Sequence, residues 1–172
     1  MPDQRTPEEQ LQPALLDRLT DDQPEKRLEP RMERVISKRR MREAVLRDLT
    51  WLFNTTRLDP DMDPALSYAR KSVINFGLPA LSGQTASSLD ISDLERSIRQ
   101  AILDYEPRIL PGSLHVRAIE AGKFENHNVI GVEISGQLWS QPLPLELLVR
   151  TEIDLETGQV EVADLAQSSR VT

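Results

Sequence analysis

The sequence predicts an α+β domain, with N-terminal helices packed on one small antiparallel sheet of three to four strands. Two observations carry this. Apolar residues recur at helical spacing up to Tyr105, and beyond it they alternate with polar ones. Helices first and strands after, within a chain of 172 residues, mean one α+β core rather than a parallel α/β sheet. A third observation marks the junction: Tyr105-Glu106-Pro107-Arg108 stands where the last helical pattern ends. Proline lacks a backbone donor and disfavours helix in the residue before it, so Glu106 and Arg108 are expected on extended backbone.

Residues 1–34 read as a polar arm. Pro2, Pro7, Pro13, Pro24 and Pro30 forbid a long helix, and low hydrophobicity with high charge predicts disorder in isolation. One island interrupts the arm, Leu15-Leu16-Asp17-Arg18-Leu19. Three leucines around an Asp-Arg pair form a short helical anchor, which either docks on a partner or packs on its own domain. Residues 35–165 form the α+β domain, and residues 166–172 a flexible tail.

Within the domain the first helix runs from Val35 to about Asn54. Met41, Val45, Leu49 and Leu52, joined by Trp51 and Phe53, make one apolar stripe. Between positions 25 and 47 nine basic residues face four acidic ones. That local excess is either a solvated helix face or a surface for an acidic partner. Asp63-Pro64 is the signature of a helix start, with a short helix from Ala65 to about Ile74. Gly77 and Pro79 then stop it, and Asn75 to Pro79 reads as a buried turn with two apolar plugs. A flexible patch follows through Ser82-Gly83 and residues 85–88. Ser92-Asp93-Leu94-Glu95 reads as a capping box, with Ser92 at the cap and Glu95 three positions on. Leu94, Ile98, Ala101, Ile102 and Tyr105 then share one helix face, and Pro107 ends the helix.

Strand patterns occupy the rest. Leu114, Val116 and Ala118 alternate with His115 and Arg117; Ile130, Val132, Ile134 and Leu138 form a second set. A long third run extends from Leu143 to Leu155, and a turn at Glu156-Thr157-Gly158-Gln159 leads to Val160 and Val162. Such alternation predicts an antiparallel sheet with one buried and one wet face. Pro142 and Pro144 cannot donate ladder bonds, which puts the start of the third run at a sheet edge.

Composition excludes several classes of function. The net charge of −7 and a pI near 4.9 oppose general nucleic-acid binding. The chain has no cysteine, so disulfides, thiolate metal sites and cysteine nucleophiles are excluded. His115 and His127 are the only histidines, too few for a zinc centre, and His127 beside two asparagines reads as a hairpin-turn residue. There is no Gly-rich phosphate loop and no nucleophile elbow, and no cofactor is expected. The N-terminus shows no signal-peptide core, and no apolar run approaches the ~20 residues that span a bilayer. A cytoplasmic location without membrane insertion follows as the expectation.

Taken in order, the Leu15–Leu19 arm, Asp48-Leu49-Thr50-Trp51-Leu52-Phe53-Asn54-Thr55, Ser72-Val73-Ile74-Asn75-Phe76-Gly77-Leu78-Pro79 and Tyr105-Glu106-Pro107-Arg108 before the strands resemble the baseplate wedge family of contractile phage tails. The likeness is strongest to the type VI secretion branch of that family. It covers roughly residues 13–165, and Phe76 stands where the family also uses tyrosine. The resemblance implies a structural, non-enzymatic protein in a cytoplasmic, membrane-anchored injection machine. Its implied partners are other baseplate wedge subunits and the first ring of sheath proteins, reached in part by strand addition at a sheet edge. No nucleic acid and no small-molecule substrate are implied. Glu106, Pro107 and Arg108 are, on this resemblance, the hallmark contact with the wedge core. Leu15, Leu16, Asp17, Arg18 and Leu19 are the second expected partner contact.

The residues alone leave the triplet open. Arginine's planar fork suits a carboxylate on a partner, yet Glu106 and Arg108 are equally able to pair with each other and pin the helix end to the sheet. The rival function is a lysozyme-like glycoside hydrolase acting on peptidoglycan. It needs two carboxylates about 5–10 Å apart across a cleft. Asp104 with Glu106, or Glu120 with Glu125, are the available pairs, and neither is singled out by pattern. Aromatic residues, at 4%, supply few sugar platforms.

Overall fold

The structure is a computed structural model that describes residues 14–20, 25, 38–58, 66–83, 89–119, 129–140 and 143–165. Helices come first: α1 (Leu15–Leu19), α2 (Lys38–Phe53), α3 (Ser67–Arg70) and α4 (Ile91–Tyr105). Four strands follow, β1 (His115–Ile119), β2 (Val129–Leu138), β3 (Leu145–Asp154) and β4 (Val160–Asp164). They form one antiparallel sheet in chain order, so the predicted α+β class holds with the full four strands.

The core lies between α2, α4 and one sheet face. On α2 the buried residues are Met41, Ala44, Val45, Leu49, Leu52 and Phe53; on α4 they are Leu94, Ile98, Ala101 and Ile102. Both sets repeat at three or four residues, which aligns them along one side of each helix. From the sheet come Ile130, Val132, Ile134, Leu147, Val149 and Ile153; the β2–β3 register sets Ile130 opposite Ile153 and Ile134 opposite Val149, with Val132 facing the buried Thr151. The opposite sheet face carries the charged rung Arg117, Glu133 and Arg150. Opposite charges directly across antiparallel strands favour that pairing.

Two expectations are corrected. The start of α4 is not a Ser92–Glu95 capping box. Asp90 caps it, with its Oδ1 accepting from the amides of Ser92 (2.8 Å) and Asp93 (3.2 Å). An aspartate two residues earlier serves equally well as a cap and lengthens the helix. Glu95 is thereby freed to accept the Ala118 amide at 2.7 Å, occupying a donor on edge strand β1. The short helix predicted up to Ile74 breaks after Arg70. The Ser72 hydroxyl donates to Ala69 O and accepts from Ile74 N, a local pairing that competes with helix, and Val73–Asn75 turns as a 3₁₀ segment. β3, whose start was placed at a sheet edge, meets that expectation. It is an interior strand over Val149–Ile153, where β4 pairs with it; Leu145–Leu148 extends past β4 and has a strand neighbour on one side only. The sheet edge is met there, where an Arg42 guanidinium donates to Glu146 O.

Edge strand β4 is pinned in the same manner as β1. Asn54, just past α2, accepts the Val160 amide (2.9 Å) and donates to the Val160 carbonyl (2.8 Å). The cap at Asp63-Pro64, the turn at His127, the patch at 85–88, the tail 166–172 and most of the arm 1–34 lie outside the described residues.

Candidate functional site

Two loops fix the end of α4. Gly77 has φ +125°, and a Cβ there would lie 2.2 Å from Thr55 O. Only glycine lets the chain pass this close to the end of α2. The contact is secured by Leu78 N donating to Thr55 O and Arg57 N to Leu78 O, both at 2.8 Å. Leu78 is buried and Phe76 half-buried, as expected of two plugs. Phe76 meets Tyr105 edge-on at 5.2 Å between ring centroids, and Tyr105 OH donates to Ser72 O at 3.0 Å. Burial, reinforced by Asp104 and opposed by Arg57, raises the Tyr105 pKa, which keeps the phenol a neutral donor.

The helix therefore delivers Glu106 at a fixed point, and Pro107 turns the chain back so that Arg108 folds onto it. Glu106 is 3% exposed. Its Oε1 accepts from Arg108 Nε (2.6 Å) and from the Arg108 amide (3.1 Å), and its Oε2 from Arg108 Nη2 (2.5 Å). The pair is bidentate, the strongest geometry open to these groups. Arg108 Nη2 also donates to Asp48 Oδ2 on α2 at 2.5 Å. Burial opposes the Arg108 charge, but Glu106 and then Asp48 outweigh it, so its pKa is raised and the guanidinium stays charged throughout the accessible range.

The network continues. Asp48 Oδ1 accepts from Arg47 Nε at 3.0 Å, and Arg47 Nη1 donates to Asp17 Oδ1 on α1 at 2.7 Å. The hydrogen bond that Arg47 donates to Asp17 leads the causes that raise the Arg47 pKa, against burial and aided by Asp48. Arg47 also lies 5.1 Å from the centroid of Trp51. Asp17, Arg47, Asp48, Arg108 and Glu106 thus form one row of alternating charge that ties arm, first long helix and triplet together.

Beside this row lies a groove of about 490 Å³, bounded by Ala14, Trp51, Leu52, Phe76, Tyr105 and Pro107, with Asp48, Glu106 and Arg108 in its lining. Pro107 and Trp51 are exposed. On α1, Leu15 (70%), Leu16 (46%) and Leu19 (75%) are exposed, and the Asp17–Arg47 ion pair ties the island to its own domain. Arg18 lies on the same turn of helix.

The structure brings the two predicted contacts together. The triplet and the arm meet through Arg47 and Asp48, neither of which the sequence reading singled out as a site residue. The available signal was Asp48 itself, an acid three residues from Val45 at the margin of an apolar stripe, where a solvated charge has no reason to be half-buried. Within the triplet the intradomain pairing is what the geometry shows: both oxygens of Glu106 are committed to Arg108. A carboxylate held in this manner is a fixed anchor. The alternative pair, Glu120 and Glu125, lies outside the described residues, and no helix among those described is long and apolar enough to cross a membrane. No group of metal-ligating side chains occurs among the described residues.

Comparison with curated proteins and with solved structures returns no match. Comparison with protein families does: baseplate wedge protein gp25 matches residues 39–143, more than half of the 172-residue chain. The matched stretch contains α2, the Gly77 loop, α4, the Glu106–Arg108 triplet and the first two strands. The chain accordingly belongs to the baseplate wedge protein gp25 family, and the row of charges beside the groove is a feature of a structural baseplate protein that works among other baseplate proteins.

Proposed function

We propose that this chain is a TssE-type subunit of a type VI secretion baseplate, a structural joint that enters the wedge complex and helps start the contractile sheath. In this reading Glu106, Pro107 and Arg108, with Leu15, Leu16, Asp17, Arg18 and Leu19, meet other wedge subunits, and the first sheath ring adds at the sheet. The machine is anchored to the membrane and the subunit works on its cytoplasmic side, without cofactor or substrate.

One observation supports this above the others: α1 is pinned to α2 by Asp17–Arg47 while its three leucines face outward. A segment that packs on its own domain buries its leucines. Here a salt bridge does the positioning, and the apolar strip stays available beside Trp51, Pro107 and the groove. Hot spots of interfaces combine such apolar anchors with fixed arginines.

Gentle co-purification from the native host tests the proposal. Recovery of wedge and sheath proteins is the expected result. A monomer that releases soluble fragments from peptidoglycan overturns it in favour of the hydrolase.

A further inference from the structure

The row of charges does not balance. Two guanidinium groups, Arg47 and Arg108, face three carboxylates, Asp17, Asp48 and Glu106. Among the described side chains of the row, one negative charge is therefore left over in a partly desolvated site. The hydrogen bonds are also unevenly shared among these groups. A carboxylate offers about four acceptor positions. Asp48 Oδ2 and Glu106 Oε2 both draw on the same Arg108 nitrogen, and Asp17 Oδ2 is buried with no hydrogen-bond donor among the described residues. The walls around Asp48 and Glu106 are of the opposite character, formed by Trp51, Phe76, Tyr105 and Pro107.

An occupant of this groove meets both demands only if it is apolar along its length and cationic at its tip. A purely apolar side chain would cover carboxylates without supplying donors, which costs free energy. An acidic one would add to the surplus. Arginine fits better than lysine, because its planar fork matches a carboxylate and its guanidinium is less strongly hydrated. The geometry points to an arginine side chain of the partner protein as the occupant. Its methylene stem lies between Trp51, Tyr105 and Pro107, and its guanidinium rests on Asp48, whose side chain keeps contact with solvent. This inference rests on the reading of the groove as a partner contact.

The test uses the full chain and two small probes, N-acetyl-arginine amide and N-acetyl-citrulline amide, which share shape and differ in charge. Amide and indole resonances are followed during titration. Arginine is expected to shift Trp51, Tyr105 and residues 106–108, and citrulline to bind about tenfold more weakly. Asp48→Asn is expected to remove that preference; should the variant not fold, the comparison of probes on the native chain still decides. Equal binding of both probes, shifts remote from the groove, or no shifts with either probe overturn the inference. Those failures leave the proposed function standing if wedge proteins still co-purify. Loss of co-purification with the arginine preference intact separates the two in the opposite sense.

Discussion

At the scale of single residues, the strongest constraint is steric and the next is ionic. Gly77 combines a positive φ with a would-be Cβ 2.2 Å from Thr55 O. Gly77→Ala is expected to destabilise by about 3 kcal/mol or more, read as a lower urea midpoint, because strain and backbone collision add. Glu106 is nearly fully buried while Arg108 and Asp48 keep some contact with water. Arg108→Ala is expected to cost about 2–3 kcal/mol, since it leaves a buried carboxylate without its partner while solvent softens the loss. A double-mutant cycle of Glu106→Gln with Arg108→Met separates pairing from packing; additive effects would show that the pair is not coupled. Asp154 offers a test in pH. Its Oδ1 accepts from the amides of Thr157 and Glu156, in that order of influence, which holds its pKa below the ordinary 3.8. A lowered folded-state value contributes stability above the unfolded pKa and loses it as pH falls through the folded one. NMR titration should find the Asp154 midpoint under 3.8, and Asp154→Ala should remove that part of the acid dependence.

At the scale of elements, α1 is tied to α2 by the Asp17–Arg47 ion pair. Asp17→Ala should release it, so that amides 15–19 exchange freely while the melting temperature of the core falls by no more than a few degrees, since this part-buried pair holds the arm and not the core. A fall of many degrees would mean that the arm is part of the core. The helices and strands themselves were legible because each obeys a period: α2 and α4 at three to four residues, β2 and β3 at two. What periodicity does not register is competition among polar side chains for backbone groups. Asp90 took the cap assigned to Ser92, Glu95 went to the sheet instead, and Ser72 broke a helix that composition alone would have continued.

At the scale of the molecule, three segments far apart in sequence are joined by one line of charge from Asp17 to Glu106. The triplet and the arm were legible as separate signals. Their meeting was not, because it depends on Arg47 and Asp48, two charged residues among many on a basic helix, and a contact across sixty positions leaves no mark in local spacing. The outward leucines of α1 have a further consequence, in terms of lifetime. A copy without neighbours carries a short, exposed, weakly held helix rich in leucine, which is a preferred point of proteolytic attack and self-association. Copies made in excess of their neighbours should therefore disappear first, so that abundance follows assembly without any dedicated regulator.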